Sequence, residues 1–206
     1  MSDICMKKKI RILVAGTRGI PNIPGGVEKH CEELYPRLVS RGIDVFLATR
    51  SPYVGSNATD WKSINLINCY APRKKRLEAI VHTFLVLLKA YVIKPDIIHI
   101  HSIGPALLVP LAKLFGFKVV FTTHGSDYKR QKWGKTAKLM LKLGEFFGGK
   151  FANAVIAISN EIAETIKNRC NKIPVIIPNG VNIPQISNNI DCLNSHGINP
   201  HRYLLC

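Results

Sequence analysis

Short apolar runs alternate with longer segments of helical period along most of this 206-residue chain. "IRILVAG" (Ile10–Gly16) is strand-length and apolar throughout. From Gly26 to Arg41 the residues Val27, Cys31, Leu34 and Leu38 recur at helical spacing, which predicts a helix. Pro36 inside it removes a backbone hydrogen bond and predicts a kink. "IDVFLAT" (Ile43–Thr49) is the next strand, "SINLINCY" a weaker one, and Arg73–Ile93 an apolar helix with a basic start.

"DIIHIHS", "GPALLVPLAKLFG", "KVVFTTHG", "GKTAKLMLKLGEFFG", "NAVIAIS", "NEIAETIKNRC" and "IPVIIPNG" then continue strand, helix, strand, helix, strand, helix, strand. Runs such as "VVFTT" have no polar face, as expected of strands covered by helices on both sides. The alternation predicts an α/β protein with a doubly wound parallel sheet. Residues 1–180 form that unit. Residues 181–206 read as a polar linker rich in Asn and Ser, ending in the half-strand "HRYLLC".

Composition changes this picture in one respect. Twenty-nine Lys and Arg against thirteen Asp and Glu give a net charge of +16. That field suits nucleic acid, an anionic membrane face or phosphorylated substrates. Six cysteines without metal-type spacing point to reduced structural thiols and a cytoplasmic location. The lysines and short apolar run at the N-terminus lack the features of a secretory signal, and no apolar stretch is long enough to span a bilayer.

Ligands of open parallel sheets bind beyond the carboxyl ends of the strands, and four features fall on that rim. In "GTRGIPNIPGGVEKH" (Gly16–His30), Gly25 and Gly26 directly precede a helix, where free N–H groups can meet a phosphate. A long surface loop with incidental glycines is the alternative. Arg50 rather than an acid ends the second strand, and an NADP reading could use that arginine, but the spacing is not that of a dinucleotide fingerprint, which leaves that reading poorly supported. His99 and His101 alternate on one strand face, and His124 ends the next strand ahead of Asp127. His101 and His124 are expected to be neighbours, as catalytic or polar contacts or as hydrogen-bonded rim residues. No third ligand is spaced to join them, so no metal is expected. In "AISNEIAETI", Ser159 or Asn160 is expected to cap a helix.

Lys129, Arg130, Lys132, Lys135, Lys138 and Lys142 are interleaved with Trp133, Leu139, Met140, Leu143, Phe146 and Phe147. This predicts a basic amphipathic surface helix suited to anionic lipid, or else a solvated helix whose apolar side enters the core. No nucleic-acid motif accompanies it, and no nucleic-acid partner is expected.

Together, "GTRGIPNIPGGVEKHCEELYPRLVSRGIDVFLATRSPY", "PDIIHIHSIGPALLVPLAKLFGFKVVFTTHGSD" and "AVIAISNEIAETI…VIIPNGV" resemble the N-terminal domain of family-4-type retaining glycosyltransferases of GT-B architecture. The "GTRGIP" opening is most similar to bacterial members that build surface polysaccharides. The resemblance implies a Rossmann-like lobe and a hexose or deoxyhexose transferred with retention. The donor is a nucleotide-diphospho-sugar and the acceptor a lipid-linked glycan or another glycan. It implies no cofactor or metal. It also implies that Gly25 and Gly26 border the donor phosphates, that His124 contacts the sugar and assists catalysis, and that Arg18, His101 and Asp127 lie on the acceptor side. It implies that the basic surface sits on the cytoplasmic face of the inner membrane. The second lobe of such enzymes follows the "PNGV" hinge and holds most of the donor site. Its hallmarks are not in these residues, so this chain is expected to be inactive alone. A non-catalytic module that binds anionic lipid or glycan is the alternative.

Overall fold

The computed structural model describes residues 9–55, 57–129, 131, 133–183, 195 and 197. Its strands are β1 (Arg11–Ala15), β2 (Asp44–Arg50), β3 (Asp60–Trp61), β4 (Ile64–Cys69), β5 (Ile97–His101), β6 (Val119–Thr123), β7 (Ala154–Ala157) and β8 (Val175–Ile176). The helices are α1 (Gly26–Val39), α2 (Lys75–Ile93), α3 (Val109–Leu114), α4 (Lys135–Phe151) and α5 (Asn160–Cys170). The strands form one sheet in the order β3-β4-β2-β1-β5-β6-β7-β8. All pairs are parallel except β3 with β4. From β1 the chain winds outward through β2 to β4, then crosses back to β5 and winds the other way. The expected doubly wound α/β sheet is therefore present, and its winding reverses between β1 and β5.

Period-two alternation divides the core between the two faces. Leu13, Ala15, Ile98, Ile100, Val119 and Phe121 pack with Val86 and Leu87 of α2, Val109 and Ala112 of α3 and Ile166 of α5. Ile12, Val14, Val45, Leu47, Ile64 and Leu66 pack on the other face with Cys31 and Tyr35 of α1. Each fully buried Leu, Ile or Phe contributes about 1.5–3 kcal/mol through removal of apolar surface from water. The register that pairs Val14 with His99, and His99 with Val120 and His101 with Thr122, sets His99, His101 and Thr122 on the α1 face.

Local chemistry accounts for several departures from the expected elements. "GPALLVPLAKLFG" is a 3₁₀ turn (Pro105–Leu108) followed by the six-residue α3. Pro110 lies in the first turn of α3, where its missing N–H is harmless. "SINLINCY" is stronger than expected and forms the six-residue β4, with β3 as an unforeseen antiparallel edge. "IPVIIPNG" contributes only the two exposed residues of β8. α1 runs through Pro36 to Val39 and buries Glu28, Cys31 and Tyr35. Ser159 caps α5, its hydroxyl accepting from the Ile162 N–H. Apart from residues 181–183, 195 and 197, the expected linker 181–206 with its half-strand lies outside the described residues.

α4 packs closely against Ile103, just after β5, and against Phe121 of β6. Its buried residues are Gly144, Glu145, Gly148 and Gly149. A Cβ on Gly144 would stand 1.9 Å from the Ile103 carbonyl oxygen, and one on Gly148 would stand 2.7 Å from the Phe121 ring. Glycine at these positions lets helix backbone lie directly on the layer beneath it.

Candidate functional site

The reversal of winding between β1 and β5 opens a crevice at their carboxyl ends. Gly16 closes the bottom of it. Its φ is +101°, and a Cβ there would lie 2.1 Å from the His101 carbonyl oxygen, so only glycine fits. Above this point lies a cavity of about 630 Å³, whose walls include Arg18, Gly25, Gly26, Arg50, Glu78, His124, Asp127, Met140 and Asn179.

The first wall is the loop between β1 and α1. Gly26 opens α1, and its missing Cβ would face open space. The free amide end of the helix thus meets the cavity, but it is not bare. Glu28, largely buried, accepts from the Arg18 backbone N–H at 3.1 Å and from the Arg18 Nε at 3.0 Å. Burial raises the Glu28 carboxyl and the Arg18 hydrogen bonds lower it; the net result is below the ordinary value. A Cβ on Gly25 would strike both of these side chains, at 2.0 Å and 2.4 Å. An anion arriving at this helix end therefore meets a neutralised guanidinium–carboxylate pair beside open amides.

The second wall is a row of histidines. Tyr35, fully buried in α1, places its hydroxyl 2.9 Å from His99 Nδ1 and 2.6 Å from His101 Nε2. His99 Nε2 lies 2.7 Å from Thr122 Oγ1, and His101 Nδ1 lies 3.0 Å from His124 Nε2. Only His124 reaches the cavity. His101 is fully buried behind it, so an acceptor-side contact by His101 runs only through His124. Burial, and then neighbouring histidines, push His99 down to about 3 and His124 down to about 4. The same causes hold His101 well below the ordinary imidazole value. All three rings are neutral near pH 7.

His30 of α1 completes this wall. Its ring centroid is 5.1 Å from that of His124 and 5.6 Å from that of His101. Burial lowers its pKa, and a hydrogen bond with the Asn179 side chain raises it by less. His30, His101 and His124 each bring a ring nitrogen within 4.8 Å of the others, a third ligand the spacing did not show. Three such neutral nitrogens are a donor set for a divalent transition metal. His101 Nδ1 and His124 Nε2 are hydrogen-bonded to each other at 3.0 Å, and an ion held between those two nitrogens would have to displace that bond.

Polar anchors hold the remaining walls. Arg50 Nη1 donates to Glu78 at 2.9 Å, with the two side chains only 9% and 10% exposed. This arginine is therefore committed to Glu78, and the arginine an NADP reading would need is not free. Asp127 stands in a 3₁₀ turn (Asp127–Lys129) after β6. Flanking it, Ser126 and Tyr128 each donate to the buried Glu145 of α4 at 3.1 Å, and Arg169 pairs with the same carboxylate. Sequence reasoning missed Glu28, His30, Tyr35, Glu78 and Glu145. Their one local signal is a polar residue on a helix face that otherwise points inward.

On α4, Lys135 and Lys142 are exposed and Lys138 is half-buried. Arg130, Lys132 and the side chain of Lys129 lie outside the described residues. Leu139, Met140 and Leu143 are 59%, 39% and 39% exposed. The apolar residues in the first half of α4 thus stay at the surface among lysines while the glycine face enters the core. Among the described residues no helix is long and apolar enough to cross a membrane.

Comparison with known proteins agrees with this architecture. Sucrose-phosphate synthase from Thermosynechococcus elongatus superposes with a TM-score of 0.71 at 17% identity, covering 93% of this chain and 53% of that one. HepE from Anabaena, solved in complex with UDP and glucose, gives 0.64 at 14% identity, covering 92% and 50%. A glycosyltransferase from Rickettsia africae gives 0.59 at 21% identity, covering 95% and 51%. The chain spans about half the length of each, as one lobe of a GT-B fold does. Among curated proteins none matches this sequence. The sequence profile of Glycosyltransferase Family 4 matches residues 24–185, from the helix entry through the last strand and the "PNGV" segment. The chain belongs to glycosyltransferase family 4 and has the fold of its N-terminal GT-B domain.

Proposed function

We propose that this chain is the acceptor-side lobe of a retaining transferase that moves a hexose or deoxyhexose from a nucleotide-diphospho-sugar to a lipid-linked or glycan acceptor. The observation that carries this reading is the switch-point cavity. One wall offers open helix amides at Gly25 and Gly26, and the other offers a neutral imidazole, His124. Amides at a helix start suit the pyrophosphate. His124 suits a sugar hydroxyl, and Arg18 and Asp127 border the space left for an acceptor. That HepE was solved with UDP and glucose supports the donor class. Transfer itself belongs to a two-lobed enzyme, of which these residues supply one lobe. No cofactor or metal enters the reading. The likeness of the "GTRGIP" opening to bacterial surface-polysaccharide enzymes supports a role in that class of pathway.

Saturation-transfer NMR suits a weak half-site. UDP-glucose is expected to receive saturation from the protein and to lose it in His124→Ala, while NADPH receives none. Equal saturation of NADPH, or none at all on the sugar nucleotide, would overturn the donor assignment.

α4 supplies a second element. Its exposed Leu139 and Leu143 stand among Lys135 and Lys142, and its Met140 also lines the cavity. We propose that this face rests on the anionic cytoplasmic surface of the inner membrane and brings a lipid-linked acceptor to the cavity mouth. If the chain were a binding module without catalysis, the same face would be its working surface.

A further inference from the structure

The histidine wall contains a connected series of four hydrogen bonds: Thr122 Oγ1 to His99 Nε2, His99 Nδ1 to Tyr35 Oη, Tyr35 Oη to His101 Nε2, and His101 Nδ1 to His124 Nε2. Each junction takes one proton. A neutral imidazole carries one N–H and one lone pair, so it donates at one nitrogen and accepts at the other. Tyr35 is fully buried and its hydroxyl has no partner among the described residues beyond these two histidines, so accepting from both would strand its own hydrogen; it donates to one and accepts from the other. These rules leave two arrangements in which every junction is satisfied, and they run in opposite directions.

In the first, Thr122 donates to His99, His99 donates from Nδ1 to Tyr35, Tyr35 donates to His101, and His101 donates from Nδ1 to His124. His124 then accepts at Nε2 and carries its own hydrogen on Nδ1. In the second, every bond is reversed. His124 carries its hydrogen on Nε2, Nδ1 is a bare lone pair, and Thr122 accepts from His99.

Thr122 decides between them. Its residue is 2% exposed, and its hydroxyl has no partner among the described residues other than His99. In the second arrangement the Thr122 hydroxyl hydrogen is buried without an acceptor. In the first, that hydrogen is used, and an oxygen lone pair left over is far less costly than a stranded donor. The far end of the series lies at the cavity, whose lining includes His124, and Nδ1 is the ring nitrogen that His101 does not engage.

We infer that the series from Thr122 through His99, Tyr35 and His101 fixes His124 as its Nδ1–H tautomer, so that the cavity meets a hydrogen-bond donor and the ligand atom against this ring is an acceptor oxygen. Given the transferase reading, on which the ligand assignment rests, that atom is a sugar hydroxyl or phosphate oxygen. His124 then orients substrate through a donated bond and is not the base that removes a proton from it. Tyr35 and Thr122 are positioning residues that act on the ligand only through His124.

Long-range ¹H–¹⁵N correlation spectra of protein labelled with ¹⁵N-histidine report directly which ring nitrogen carries the hydrogen. At pH 7, without ligand, His99, His101 and His124 are all expected to show Nδ1 protonated and Nε2 bare, with His124→Ala used for assignment. Tyr35→Phe cuts the series, and His124 is then expected to become a mixture of tautomers. Thr122→Ser keeps the donor and the wild-type pattern, which guards against Tyr35→Phe failing to fold. A wild-type His124 protonated at Nε2 would overturn the inference. So would a pattern at His124 unchanged in folded Tyr35→Phe, or one lost in folded Thr122→Ser. The spectra need no substrate, so their failure leaves the sugar-nucleotide assay untouched, and failure of that assay leaves the tautomers standing.

Discussion

Glu78→Ala is expected to cost a large part of the protein's stability. Glu78 and Arg50 meet at 2.9 Å with side chains about nine-tenths covered. The Arg50 Nε is buried with no partner among the described residues, so the guanidinium depends on Glu78 for its charge balance. Removing the carboxylate leaves a cation in the protein interior with His82 nearby, a ring that burial and then this same arginine already disfavour protonating. Breaking a buried pair from one side costs about 3–5 kcal/mol. In a protein of this size that is a fall in Tm of about 6–20 °C.

The converse substitution makes the argument testable. Arg50→Met with Glu78→Leu removes both charges and fills the space, and such replacements are neutral or stabilising by about 1–4 kcal/mol. Urea denaturation of wild type, Glu78→Ala and the double variant reads all three. The expected order is Glu78→Ala far below the other two. A Glu78→Ala loss under about 1 kcal/mol, the size of an exposed pair, would refute the reasoning. A double variant as unstable as the single one would show that the site needs the charges themselves.

Three further outcomes follow from the same structure. His82 and His124 are lowered to about 4 and His99 to about 3 against an ordinary value near 6.5. The unfolded chain therefore binds protons first as pH falls, and stability drops from pH 6.5 towards 4 by about 1.4 kcal/mol per pH unit for each histidine; a flat denaturation profile from pH 7 to 5 would contradict this. Gly144→Ala gains up to about 1 kcal/mol of helix propensity but places a methyl 1.9 Å from the Ile103 carbonyl oxygen. Overpacking of about 1–3 kcal/mol should win, and a more stable variant would mean that α4 can lift off its bed. Replacing Lys135, Lys138 and Lys142 by Gln is expected to weaken binding to vesicles rich in anionic lipid about 100-fold, at roughly 1 kcal/mol per lysine. Unchanged co-sedimentation would detach α4 from the membrane reading.

What the sequence made legible follows from how far each feature reaches along the chain. β1, β5 and β6 are short apolar runs whose identity is decided within five residues, and the alternation of His99 with His101 alone places both on one face. The ranking within that face was not legible, because it depends on register. His101 pairs with Thr122, one pleat behind His124, so the residue nearer the rim on its own strand is still covered by the next strand's histidine. The helix entry shows the same limit. Two glycines announced open amides, but Glu28 sits on the inward stripe of α1 and folds back to Arg18 across a ten-residue loop. Arg50 shows in sequence only as a basic residue ending a strand, because its carboxylate lies 28 positions on, in a helix. In each case the local pattern located the group, and a partner remote in sequence determined its charge, exposure or proton. The same dependence governs His124. The tautomer it offers a ligand is set at Thr122, where one buried hydroxyl has a single place to put its hydrogen.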